Sequence, residues 1–241
     1  MAYFKRDRFS GTAPGVAPRL LADQFGQIAE NVDLESGRLV SIKEDSDVYT
    51  LQNSTRRSIY YYRDTSWLEW NEDNVSVVPG PIPGDATDRL YFTGDDYPRV
   101  GNVSTLVSGS AGYPVNSFRL GIPAPASAPT TAKSGTADAT QTPSDVSYVF
   151  TFVSGFGEEG PPSPASAVFE LTDTETVVVT MGSSLSGNFN FGATSGALRR
   201  IYRSNTGSTN TTFQFVGEVP YATQTFTDTK DAAELGEVLP S

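Results

Sequence analysis

The residues in this chain that could do chemistry are few, and most of them are carboxylates. Glu158 and Glu159 stand side by side in the run Gly155-Phe-Gly-Glu-Glu-Gly-Pro-Pro-Ser-Pro. Held at a fixed separation beside a pocket, two carboxylates serve as the acid and base of glycoside hydrolysis. On a turn rich in Gly and Pro they are solvated charge, which is the expectation here. Asp85, Asp88, Asp95 and Asp96 invite a calcium or glycosidase reading. EF-hand spacing is absent, however, and Asp beside Gly and Pro is ordinary turn chemistry. Trp67, Trp70 and Tyr60 to Tyr62 offer ring faces that can stack on sugars, or fill a β core as most such residues do. Arg199, Arg200 and Arg203 flank Ile201 and Tyr202. Strand alternation sends Arg199 and Arg203 to the face opposite Arg200, which argues against a phosphate site and for a solvated edge or pairing with the acidic tail. Lys5, Arg6, Arg8 and Phe9 form a basic, extended arm, read either as a docking device or as a frayed, solvated terminus.

Composition removes whole classes of mechanism. The chain of 241 residues has no Cys and no His. Thiol nucleophiles, zinc thiolates, disulfides, Ser-His-Asp triads and histidine bases are therefore excluded. No catalytic residue, metal or cofactor is expected. The formal net charge of −11 argues against specific nucleic-acid binding through a phosphate-neutralising face. An acidic wall can still line a lumen through which DNA passes without sticking. The first residues carry charge but no apolar core of a signal peptide, and no apolar run reaches the roughly 18 residues of a membrane span, so neither secretion nor membrane insertion is expected.

The elements that must position these residues are mostly strands. Apolar residues at Leu21, Phe25, Ile28, Ala29 and Val32 follow helical spacing, and predict a helix over 20–32. A strand is expected over 38–42. From Asp47 to Val103 the text alternates strand and turn (VYTL, SIYYYR, WLEW, VSVV, RLYFTG), which predicts a meander, a sandwich or propeller-like blades. Residues 123–144 crowd Pro, Ala, Ser and Thr and read as a semi-rigid linker. Strands are then expected over 146–153, 166–171, 175–181, 197–203, 212–219 and 224–228, with one helical turn near Ala232 to Leu235. The fold class is mainly β. An extended arm (1–19) precedes an N-terminal β-rich domain (20–122) with one short helix. After the linker (123–144) comes a C-terminal sandwich (145–241) of fibronectin III or immunoglobulin-like size. Glu158 and Glu159 tip its first corner, where they are a candidate contact with a neighbouring subunit.

Several phrases recur together in order: Asn31-Val-Asp-Leu with Ser36-Gly37-Arg38-Leu39, Trp67-Leu-Glu-Trp, Asp88-Arg-Leu-Tyr-Phe-Thr-Gly, Leu120-Gly-Ile-Pro-Ala-Pro, Tyr148 to Ser166, Arg200-Ile-Tyr-Arg, Phe213-Gln-Phe-Val-Gly-Glu and Leu235-Gly-Glu-Val-Leu-Pro-Ser. Over nearly the whole chain this resembles a family of virion structural proteins of tailed bacteriophages, found among tail-tip, hub or nozzle components. The resemblance implies a homo-oligomeric ring in the tail, contacts with other tail or connector proteins, folding in the host cytoplasm and no enzymatic activity. Family members continue beyond the LGEVLPS phrase, so a short variant or one piece of a split protein is expected. The alternative reading is a carbohydrate- or receptor-binding module of a tail, with Trp67 and Trp70 as its stacking surface.

Overall fold

Val, Ile, Tyr and Phe alternating with polar residues suit a pleated, half-buried surface, and the strands they form among the described residues pair antiparallel. The computed structural model describes residues 9–33, 40–43, 46–109, 112–182, 184–192, 194–206 and 210–240. Two compact units, Met1–Thr50 and Leu51–Ser241, make up the chain. The protein is mainly β, in several antiparallel sheets that form no closed barrel among the described residues.

In the first unit a 3-10 turn, Pro18–Leu20, precedes the two-residue strands β1 (Val32–Asp33) and β2 (Val40–Ser41), which pair antiparallel. The helix expected over 20–32 does not form. Gly26 sits at its centre, exchanges backbone hydrogen bonds with Gly11 and Ala13, and receives the Phe9 ring where a side chain would stand. Asn31 takes a positive φ of 57°. The helical stripe also finds no core, since Ile28 is 78 % exposed and Leu21, Phe25, Ala29 and Val32 are only half-buried. Helix spacing without a face to bury does not sustain a helix. Of the strand expected over 38–42, Val40–Ser41 is present and 38–39 lie outside the described residues. Residues 48–51 form no strand.

The second unit opens with a hairpin, β3 (Ser58–Tyr62) and β4 (Ser66–Trp70). Its turn holds Arg63 and Asp64 both at φ 54°, the conformation that matches the twist of the flanking strands. A four-stranded meander follows: β5 (Ser76–Pro79), β6 (Leu90–Thr93), β7 (Arg99–Gly101) and β8 (Phe118–Arg119), with α1 (Val103–Leu106) between the last two. Asn102 and Thr105 cap α1 reciprocally. Tyr62, Leu68, Trp70, Leu90, Phe92 and Leu106 close a core between hairpin and meander.

Eight strands complete the unit: β9 (Thr130–Gly135), β10 (Ser144–Val146), β11 (Tyr148–Val153), β12 (Phe169–Leu171), β13 (Glu175–Thr180), β14 (Leu198–Thr206), β15 (Thr211–Pro220) and β16 (Thr225–Asp228). One sheet runs β16-β13-β9, another β11-β14-β15, and β10 pairs with β12. Tyr148, Phe150 and Phe152 from β11, Val177 and Val179 from β13, Ile201 from β14 and Val216 from β15 share one core between the two larger sheets. The period-two burial of β13 follows its Val177, Val179 alternation directly. Residues 130–135, read from sequence as linker, are a six-residue strand in full register with β13, from Thr130↔Thr180 to Gly135↔Glu175. Thr-Thr-Ala-Lys-Ser-Gly carries no large apolar residue, so it gave no strand signal. Its backbone pairing with a strongly apolar neighbour makes it one. Ala232–Glu234 forms the expected single turn, as a 3-10 helix.

Candidate site on the sandwich

The segment between β11 and β12 is where sequence placed its most conspicuous charges, and its backbone explains their position. Ser154 to Glu158 is a tight turn. Gly157, at φ 78°, donates its N–H to the Ser154 carbonyl, and the Ser154 hydroxyl accepts from Phe156 N–H at 3.2 Å and Glu158 N–H at 3.3 Å. Beyond the turn the chain runs back along the free edge of β11. The N–H groups of Gly160, Ser163 and Ser166 donate to the carbonyls of Phe152, Phe150 and Tyr148, each at 2.9 Å. Pro161, Pro162 and Pro164 have no N–H to give. The strand's own donors are met by side chains instead, Phe150 N–H by the Ser163 hydroxyl at 3.1 Å and Tyr148 N–H by the Ser166 hydroxyl at 3.0 Å. The edge that would invite pairing with another chain is thereby covered. Gly160 approaches Ile122 so closely that an added Cβ would lie 2.7 Å from its Cγ2 and 2.9 Å from its carbonyl oxygen.

Glu159 is not solvated. Its side chain is 15 % exposed, with one oxygen accepting from Thr151 Oγ1 at 2.6 Å and the Tyr202 hydroxyl at 2.7 Å and the other bound by Arg200 Nη1 at 2.9 Å. Arg200 also holds Glu218 through Nε at 3.2 Å and lies over the Phe215 ring, 5.8 Å from its centroid. Glu158 turns elsewhere, toward the Ser154 hydroxyl at 3.2 Å and Arg89 Nη1 at 3.8 Å. Arg89 is meanwhile bound at 2.7 Å to Asp85, whose carboxyl it holds well below the usual range. The neighbouring Phe156 meets Phe118 edge-on with centroids 5.9 Å apart. The tip expected to project as a subunit contact is thus folded back. Both glutamates face partners of their own chain, one on the sandwich and one on the meander.

Replacing Glu159 by Gln keeps the shape and removes the charge that three donors share. We expect Glu159→Gln to lower the unfolding free energy by about 1–2 kcal/mol, discounting for the partial exposure of Arg200. Urea denaturation with an unchanged m-value checks this, and a loss below about 0.5 kcal/mol would show the network to be idle.

The three arginines of β14 alternate as strand geometry requires, but β14 is the central strand of its sheet and not a solvated edge. Arg199 is fully buried. Its Nε donates to the Tyr221 carbonyl at 2.7 Å and its Nη1 to the Gly182 carbonyl at 2.6 Å, with the cation over the Phe152 and Tyr221 rings at 5.2 Å and 5.1 Å. Its Nη2 has no hydrogen-bond partner among the described residues. Arg203 meets the tail, as one of the two sequence alternatives has it. Nη1 contacts Asp228 Oδ2 at 2.7 Å and the Lys230 carbonyl at 2.9 Å, in a pair whose side chains are 4 % and 0 % exposed. The Tyr148 hydroxyl donates to the same Oδ2 at 2.7 Å. Nothing in the sequence joined Tyr148, Arg203 and Asp228. Only the strand register brings a residue of β11, one of β14 and the last of β16 together.

Two phenols here resist ionisation. Burial, then the Asp228 carboxylate, pushes Tyr148 far above its ordinary value, and burial with the Glu159 hydrogen bond does the same to Tyr202. In the unfolded chain both ionise near pH ~10. Above that the unfolded state gives up protons that the folded state keeps. Stability from these groups is therefore complete below pH ~10 and falls as the pH rises further. Absorbance titration near 295 nm should show two tyrosines ionising only with the loss of folded-state circular dichroism. All tyrosines titrating freely before unfolding would contradict this.

The aromatic set divides between two faces. Trp70 is 3 % exposed, packs against Phe92 with the ring planes tilted and centroids 5.4 Å apart, and belongs to the core with Tyr62, so it is no stacking surface for a ligand. Trp67 is half-buried on the outer face of the hairpin, 4.6 Å from the exposed Tyr61 ring and beside exposed Ile59. Sequence also passed over Glu69, 1 % exposed, which accepts from Gln52 N–H at 3.1 Å and Arg56 Nε at 3.0 Å. Asp85, Asp88, Asp95 and Asp96 sit in turns. Asp88 and Asp96 have φ of 47° and 80°, and Asp85 caps Thr87. Among the described residues no group of three or more carboxylates could hold a metal ion. Lys5, Arg6 and Arg8 lie outside the described residues, while Phe9 packs on Gly26.

Two concavities flank the β11-β14-β15 sheet. One, of about 390 Å³, is polar and lies beside Arg203, Lys230 and Asn205. The other, of about 580 Å³, is an apolar groove lined by Pro161, Pro162, Phe213, Val238, Leu239 and Pro240. The last of these run along the outer edge of β15, where Gly236 N–H donates to the Phe215 carbonyl, Phe215 N–H to Glu237 and Leu239 N–H to Phe213, each at 2.8 Å. Among the described residues no helix is long and apolar enough to cross a membrane. No protein-family model matches the chain and no curated protein matches it.

Proposed function

We propose that the chain is a structural component of a tailed-bacteriophage virion, a ring-forming tail protein of the nozzle, hub or adaptor region that assembles by protein–protein contacts and has no enzymatic activity of its own. The observation that carries this reading is the ordered series of phrases, from Asn31-Val-Asp-Leu to Leu235-Gly-Glu-Val-Leu-Pro-Ser, that resembles such proteins over nearly the whole sequence. The site is compatible with it. The Glu158 and Glu159 carboxylates are engaged by arginines and hydroxyls, as in a scaffold. The strand edge of β11 is covered by the chain itself, and the apolar area left open is a groove suited to another protein segment. The partners are other tail or connector proteins and further copies of the chain. DNA at most passes a lumen whose wall the net charge of −11 would keep from adhering. The direct test is immunoblotting of purified particles of the phage that carries this sequence. The chain should co-purify at a fixed ratio to the tail proteins, and its presence only in the soluble lysate would overturn the proposal.

A second reading, a carbohydrate- or receptor-binding module of a tail, rests on the Tyr61–Trp67 face of the hairpin. Glycan binding that Tyr61→Ala abolishes without unfolding would favour it, and an unbroken blank across a glycan array would remove it.

A further inference from the structure

We propose that the apolar groove on the sandwich is the seat of the N-terminal arm, residues 2–8, of a second copy of this chain. The inference deepens the ring-forming reading and rests on it for the physiological setting. The groove, about 580 Å³, has a volume that suits a few side chains of an extended segment. The inward-facing backbone groups of its walls are engaged, Gly160, Ser163 and Ser166 with β11 and Gly236, Glu237 and Leu239 with β15. Pro161, Pro162 and Pro240 have no N–H to offer an added strand, so apolar side-chain contact is what the groove chiefly provides. Pro161, Pro162, Phe213 and Val238, the last 51 % exposed, offer flat apolar surface that aromatic rings cover well.

Charge selects which segment. Arg200 is shared between Glu159 and Glu218, leaving one negative charge in excess beside the groove. Glu237, next to Val238, is exposed and adds another. The arm reads Tyr3-Phe-Lys-Arg-Asp-Arg, two aromatics followed by three cations and a single carboxylate, on a chain whose net charge is −11. Aromatics for the groove and cations for its rim stand in that order within six residues. Groove and arm are different surfaces, so the contact is heterologous and repeats from copy to copy, closing a ring where the rotation permits.

The test uses the purified full chain in analytical ultracentrifugation. A synthetic peptide of residues 2–9 added in excess should dissociate the assembly. Lys5→Glu with Arg6→Glu should weaken association about tenfold or more, Val238→Arg should do the same, and Glu237→Lys should restore part of it in the charge-reversed arm. Circular dichroism establishes that each variant is folded. A chain that stays monomeric at every concentration, or an assembly indifferent to the peptide and to the arm substitutions, overturns the inference. Co-purification of the chain with phage tails in spite of such a result would leave the virion reading standing and this contact alone refuted.

Discussion

Asp228→Ala should lower the unfolding free energy by about 3–5 kcal/mol, the largest loss expected from any one charged residue here. The pair it breaks is nearly sealed from water, at 2.7 Å between Arg203 Nη1 and Asp228 Oδ2. Removing the carboxylate leaves a buried guanidinium whose remaining described contact is the Lys230 carbonyl, and it strips the Tyr148 hydroxyl of its acceptor. The cost lies in the unpaired charge more than in the pair itself, which a second variant separates. Tyr148→Phe, Arg203→Met and Asp228→Leu together replace the network with apolar groups of similar size, and should recover most of the loss. Urea denaturation of the single and triple variants reads both values. A single variant within about 1 kcal/mol of the parent would show that water reaches the site.

Phe152→Ala should cost about 3–5 kcal/mol by loss of burial and opening of a cavity. The ring is 1 % exposed and touches Phe150, Phe191 and Tyr221 at centroid distances of 5.5, 5.9 and 5.3 Å. It also forms one face of the slot that holds the Arg199 cation. No carboxylate neutralises Arg199 among the described residues, so its solvation comes from two carbonyls and aromatic faces. Water entering the cavity would relieve that cation while unpacking the core. Phe152→Leu, which keeps most of the volume, should lose less than half as much. Thermal unfolding followed by calorimetry distinguishes the two. Equal losses for Ala and Leu would place the energy in the ring's contact with Arg199 and not in the packing.

Sequence located β13 and β11 within two residues, by two different signals. Val177 and Val179 on β13 alternate as they bury, while β11, buried on both faces, is an unbroken run of aromatic and β-branched residues from Tyr148 to Val153. It failed where an element is made by its neighbour. Thr130–Gly135 is a strand because β13 offers a ladder, and the stretch from Leu20 to Val32 is not a helix because no core receives its stripe. The candidate site was half legible. Gly157 and the prolines announce a corner, but where Glu159 points depends on Thr151, Arg200 and Tyr202, which register alone assembles from two other strands. Likewise Trp67 and Trp70, three residues apart on one strand, fall on opposite faces. Only the position of the meander decides that Trp70 is the buried one.

The turn of the corner that looked most like a docking tip is instead an internal brace, while the Pro161-Pro162 run that follows it lines the open groove. Glu158 and Phe156 engage Arg89 and Phe118 of the meander, while Gly160 lies against Ile122. Hairpin, meander and sandwich accordingly form one unit, and partners must be met by what that unit leaves open. The proposed place in a phage tail is tested most directly by imaging. Electron microscopy of purified particles carrying this chain with a gold-labelled tag should show label confined to the tail, at one axial level and in several copies per particle. Particles without label at the tail, or label on the capsid alone, would contradict the account.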